Sequence, residues 1–166
     1  MTNIAVVTSM SVDQLWGQID QYMSIAQQYG VTTQGVYEVS QIFYQQGLGS
    51  SDVMAATTET LKMARIAGMD YKEAADAMTV AIRAFKMEMT DAAHVTDVYS
   101  KVASITASDS NELATAMSKT ASSAENVGSS FENTTAMLAV MIETTRESAQ
   151  NLGSALKSII SRYGEM

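Results

Sequence analysis

The sequence has no cysteine and no proline in 166 residues. Without cysteine there can be no disulfide framework, no thiolate nucleophile and no cysteine-based metal site. Proline-free chains of this length suit helices that stop at glycine better than strand-and-turn folds, which usually draw on proline. Histidine occurs once, so a zinc site would lack the second imidazole it normally takes. Basic residues are scarce: 10 Lys and Arg face 18 Asp and Glu, giving a net charge of -8. Such a surface repels phosphate, and nucleic-acid binding through a basic face is excluded by charge. No apolar run reaches the ~18–20 residues of a membrane-spanning helix. The opening Met1-Thr2-Asn3-Ile4-Ala5-Val6-Val7 has no basic flank, so no secretory signal is expected.

What is present is apolar. Hydrophobic residues make up 46% of the chain and charged ones 17%, a balance that supports one domain with a sizeable core. Thirteen methionines add an adaptable filler common at helical interfaces.

The pattern is cap, amphipathic stretch, stop, repeated about eight times. Ser11-Val12-Asp13-Gln14 has the spacing of a capping box and opens a stripe of Val12, Leu15, Trp16, Ile19, Tyr22, Met23 and Ala26, closed by Gly30. A second helix starts near Thr32 and carries Val36, Val39, Ile42 and Phe43; Gly47-Leu48-Gly49-Ser50-Ser51 then reads as a tight loop. Val53, Met54, Thr57, Leu61 and Ala64 mark the third helix, ending at Gly68. Asp70 to Glu73 caps the fourth, with Tyr71, Ala74, Ala75, Met78, Ile82 and Phe85. Thr90 or Asp91 opens the fifth, with Val95, Val98, Tyr99, Val102 and Ile105. Asp109 to Glu112 opens the sixth, with Leu113, Met117, Ala121 and Ala124, and Gly128 follows. Ser129-Ser130 opens the seventh, with Phe131, Thr135, Leu138, Met141 and Ile142. Thr144 to Glu147 leads into the last, whose stripe is Leu152, Leu156, Ile159 and Tyr163.

Short connections force antiparallel neighbours. The expected fold is all-α, a compact bundle or array of about eight short antiparallel helical hairpin elements. Residues 1–10 should fray, and residues 11–163 should form the helical domain, with 11–67 and 68–163 as candidate sub-units. Sliding the chain by sixty positions brings Gly68 onto Gly128, Tyr71 onto Phe131, Met78 onto Leu138, Ile82 onto Ile142 and Val53 onto Leu113. Duplication explains this register, but so does the likeness of any two capped hairpins.

Candidate chemistry is thin. His94 has Asp91 and Asp97 one turn to either side, and is expected to be a solvated surface residue. Ser154-Ala155-Leu156-Lys157 spells the S-x-x-K of a serine nucleophile, without its companion motifs in order and without a sheet to hold them. Asn133-Thr134-Thr135 is a glycosylation sequon that a chain without a secretion signal does not use. Asp70 with Glu73, and Asp109 with Glu112, are explained by capping. No enzyme activity, cofactor, metal or small-molecule ligand is expected.

The stretch Thr144-Thr145-Arg146-Glu147-Ser148-Ala149-Gln150-Asn151-Leu152-Gly153-Ser154-Ala155-Leu156-Lys157-Ser158-Ile159-Ile160-Ser161-Arg162 closely resembles the core region of phage tail tape-measure proteins. Glu112-Leu113-Ala114, the Val127-Gly128-Ser129-Ser130-Phe131-Glu132 turn and Ala67-Gly68-Met69-Asp70-Tyr71 fit the same family. The resemblance covers roughly residues 50–163 and is specific in its last third. Matched positions are Gly68, Gly128, Phe131, Arg146, Glu147, Ser148, Gly153, Leu156, Lys157 and Arg162, all with structural readings. Gly153 would let another backbone approach; Glu147 and Arg146 would sit at a helix start, with Arg146 paired elsewhere; Lys157 and Arg162 would sit near a helix end that favours cations.

Members of that family are far longer, so the resemblance implies one domain's worth of a longer protein. It implies a structural module of a phage or prophage tail, involved in tail assembly and tail-length determination by helix packing inside or at the end of the tail tube. Implied partners are other tape-measure segments or copies and tail tube or tail assembly proteins. Implied locations are the virion tail (tube lumen) and, during assembly, the host cytoplasm. Two alternatives stay open: a membrane-active helical module that aids DNA passage after refolding, and the helical part of a wall-degrading tail enzyme.

Overall fold

The computed structural model describes the backbone of residues 12–164, and the segment 1–10 expected to fray lies outside the described residues. Among the described residues eight α-helices follow in chain order: α1 (Val12–Tyr29), α2 (Thr33–Gln45), α3 (Ser50–Ala67), α4 (Tyr71–Ala84), α5 (Ala92–Ile105), α6 (Ser110–Asn126), α7 (Phe131–Thr145) and α8 (Ala149–Gly164). A single 3-10 turn, Met89–Asp91, precedes α5, and no strand occurs among the described residues. The all-α compact bundle is therefore the observed architecture.

Local chemistry explains the boundaries. Asp70 and Glu73 form a reciprocal capping box on α4, and Asp109 and Glu112 repeat it on α6 with bonds of 2.7 and 3.0 Å. Thr32 caps α2 through the Gly35 amide at 3.0 Å, and Ser130 caps α7 through the Asn133 amide at 3.2 Å. Gly68 and Gly128 end α3 and the turn after α6 in the left-handed region, at φ 63° and 77°, which costs glycine nothing. The β-prone run Val36–Val39 is helical, because its residues face the core at helical spacing within a capped frame.

α6 lies at the centre. It packs on α3, α4, α5, α7 and α8, and its interface with α8 is the most extensive in the molecule. Leu113, Ala116, Met117, Thr120, Ala121 and Ala124 are its buried stripe. Around it runs an aromatic seam: Phe131 takes the edges of Phe85 and Tyr99 in T-shaped contacts, with ring centroids 5.6 and 5.1 Å apart. α2 is tied to α3 by the buried Ser40–Thr57 hydroxyl pair at 3.1 Å, and Arg65 on α3 donates to the Tyr29 carbonyl that ends α1. The hydroxyls of Thr60, Tyr99 and Thr120 are buried without a hydrogen-bond partner. Burial pushes the Tyr99 phenol above its ordinary pKa, and burial with the neighbouring Tyr44 pushes Tyr22 up to about 12.

Three stripes differ from expectation. On α8 the buried line is Leu152, Leu156 and Ile160, while Ile159 and Tyr163 are exposed. Two adjacent isoleucines sit 100° apart on a helix, and a spacing of four residues from Leu156 selects Ile160 for the α6 interface. Met23 and Ile105, placed on the inner stripes of α1 and α5, also face outward.

Candidate functional site

The α7–α8 hairpin carries most of the family-like stretch, and the structure sorts its residues into three sets. Phe131, Gly153 and Leu156 are buried. Gly153 lies against the α6 backbone, where an added Cβ would stand 2.2 Å from the Ala116 carbonyl oxygen. No side chain fits there, so glycine sets how closely α8 approaches α6.

Arg146, Glu147 and Ser148 shape the turn. Arg146 does not open α8; it ends α7 in the left-handed region at φ 55°, and its amide donates to the Ile142 carbonyl at 3.0 Å. The guanidinium reaches across to the Ala107 carbonyl at 3.2 Å. A cation at a helix C-terminus is favourable, so the unfavourable charge expected at a helix start does not arise. The Glu147 amide donates to the Thr145 hydroxyl at 3.2 Å, and Ser148 accepts from the Asn151 amide at 3.3 Å at the true start of α8. Lys157 and Arg162 form the third set; both are exposed, and Arg162 lies in the last turn of α8. Gly68 and Gly128 lie in the turns already described.

Sequence reasoning missed the outward side of this hairpin. Met137 and Val140 on α7 and Ile159 and Tyr163 on α8 are exposed large apolar residues, and Met137 and Val140 line a shallow apolar groove with Ala136, Met141 and Leu156. The signal was available in α7, whose Phe131-Glu132-Asn133-Thr134-Thr135-Ala136-Met137-Leu138-Ala139-Val140-Met141-Ile142 is apolar on more than one face.

His94 is exposed but not merely solvated: its Nε2 stands 2.6 Å from Glu132 Oε1, joining α5 to the start of α7. Backbone hydrogen bonding at the helix start, then His94 and Ser130, hold the Glu132 carboxyl below its ordinary range. The Ser154 hydroxyl donates to the Gln150 carbonyl of its own helix at 2.9 Å. Among the described residues no three His, Asp or Glu side chains gather as metal ligands. A polar cleft of about 220 Å³ lies between α4, α6 and α8, with Glu73, Asp76, Asn111 and Lys119 in its lining. No helix among the described residues is long and apolar enough to cross a membrane.

The sequence pattern of the phage-related minor tail protein family matches residues 19–166. The chain belongs to that family. It is also 32% identical over 97 residues to the tape measure protein of Pneumococcus phage Dp-1. The match takes in 58% of this chain and 8% of that relative, so the chain spans a small part of it. No solved structure matches the chain. Family membership makes it tape-measure-related and gives it a structural role in the phage tail.

Proposed function

We propose that this chain is a folded assembly module of a tail tape-measure protein, taking part in tail assembly and length determination by packing against other tape-measure segments and tail components in or at the end of the tube. One observation carries the reading: among the described residues the longest helices have 18 residues and are folded back on one another. Each is about 27 Å long, whereas the same chain drawn out as one continuous helix would reach about 250 Å. A module of this shape adds contacts to the tape and little length.

The reading is tested by deleting the module in frame from the phage and measuring tails by electron microscopy. The expected outcome is fewer completed tails, those that form being shortened by much less than 250 Å. A full population of tails shortened by about 250 Å would make the segment an extended ruler and sink the proposal. Solution scattering adds a check, since a folded monomer of this length has a radius of gyration of about 15 Å.

A further inference from the structure

Helices α3–α5 and α6–α8 repeat one another at a spacing of sixty residues. α3 begins at Ser50 and α6 at Ser110; α4 begins at Tyr71 and α7 at Phe131. The first turn of each set holds a left-handed glycine, Gly68 and Gly128. In the second turn, Lys86 and Arg146 both sit at φ 55°, and they are the only non-glycine residues with positive φ among the described residues. A left-handed residue bearing a side chain is uncommon. Two of them at matching places are not a property of hairpins in general, and this tips the sixty-residue register towards true repetition. α2 (Thr33–Gln45) stands sixty residues before α5, in the place of a third helix.

The packing repeats with the helices. α2 packs on α3 and α4, the first two helices of the unit that follows it. α5 packs in the same way on α6 and α7. The residue that opens the second helix is aromatic in both cases. Tyr71 lies against Gly35 of α2, where a Cβ would meet its ring at 2.5 Å, and Phe131 lies against Tyr99 of α5. α8 has the same position in the third unit, and among the described residues no further helix packs on its outer side. Val39, Tyr99 and Ile159 are sixty apart and are 0%, 1% and 60% exposed. Phe43 on α2 is 0% exposed, whereas Tyr163, two repeats later, is 76% exposed.

From this continuity we infer that the outer side of α8, which carries Ile159 and Tyr163, is a stacking surface for a further three-helix unit of the same kind, whose second helix opens on an aromatic residue. That side of α8 is then an open end of a helical array. Stacked repeats need a polar cap wherever the array stops, and here Ile159 and Tyr163 are exposed apolar residues instead. The length of the Dp-1 relative, of which the match takes in 8%, leaves ample room for such a unit in a tape-measure chain.

The test supplies the unit directly. A second copy of residues 107–166 is joined after residue 166, which preserves the sixty-residue spacing. Because the sequence has no cysteine, Ile159→Cys places a single thiol on the face, and Ser51→Cys on the exposed side of α3 serves as control. The inference requires alkylation at position 159 to slow at least tenfold in the extended chain while position 51 stays unchanged, with one cooperative melting transition at a higher midpoint. An unchanged rate at 159, or a separate transition for the added unit, overturns it. Protection of position 159 by anionic phospholipid vesicles but not by the added unit would also overturn it, because the face would then be a membrane surface.

Discussion

α5 on α3 and α8 on α6 hold the same place in successive units, yet they are kept there differently. α5 is clamped from two sides: it rests on α3, and α6 and α7 close over it with the Tyr99–Phe131 contact. α8 has α6 and α7 on one side only and makes up for this with closeness. Where α8 carries Gly153, seated on the Ala116 carbonyl, α5 carries Ala93 sixty positions earlier. Removing one methyl lets two backbones meet and widens the area over which Leu152, Leu156 and Ile160 are buried. A helix can therefore be held by a broad two-sided sandwich or by one tight seam. The two solutions fail differently under mutation.

The largest expected effect is on the sandwich. Phe131→Ala removes the ring that both Phe85 and Tyr99 contact and should cost about 3–5 kcal/mol in denaturant unfolding. Ile159→Ala, at the place equivalent to Tyr99, should change stability by less than about 0.5 kcal/mol, because the side chain is exposed. Next comes the seam. Gly153→Val should cost about 3 kcal/mol, since overpacking against a backbone carbonyl cannot be relieved by a rotamer change. Ala93→Val, at the half-buried equivalent on α5, should cost under about 1 kcal/mol. Equal losses at 93 and 153 would show that the two crossings are alike and would break the comparison.

Smaller effects sharpen it. Tyr99→Phe removes a buried hydroxyl that has no partner and should stabilise the protein by about 1 kcal/mol, raising the midpoint of thermal unfolding. The smallest concerns the clasp between α5 and α7. The Glu132 carboxyl has a lowered folded-state pKa, so its contribution is present above the ordinary value of 4.5 and is lost as pH falls through the lower folded value. Both partners of the His94 contact are about half exposed, which keeps this contribution to a few tenths of a kcal/mol. Glu132→Gln should flatten the acid limb of a stability-against-pH curve measured by denaturant unfolding.

The helices themselves were legible because their signals are local. Asp70 with Glu73, Asp109 with Glu112 and the glycine stops each act within one turn of chain, and the sequence displays them directly. Arg146 was misplaced because a non-glycine left-handed cap has no compositional mark; only the Ala107 carbonyl, 39 residues away in sequence, shows where its side chain belongs. Choosing Ile159 over Ile160 was a failure of phase, since periodicity offers both and tertiary contact decides. The His94–Glu132 pair and the outer groove were hidden for the same reason. They depend on which helices become neighbours, and that is set by packing between units rather than by any single stripe.

Thr60 and Thr120 are sixty residues apart, and each hides a hydroxyl that water would welcome. When α3 or α6 is exposed, that group regains hydration worth about 1–3 kcal/mol, so part of the free energy needed to open each unit is returned on opening. The array thus has a matching weak point in each of its two complete units, and loosening one unit follows the same chemistry as loosening the other.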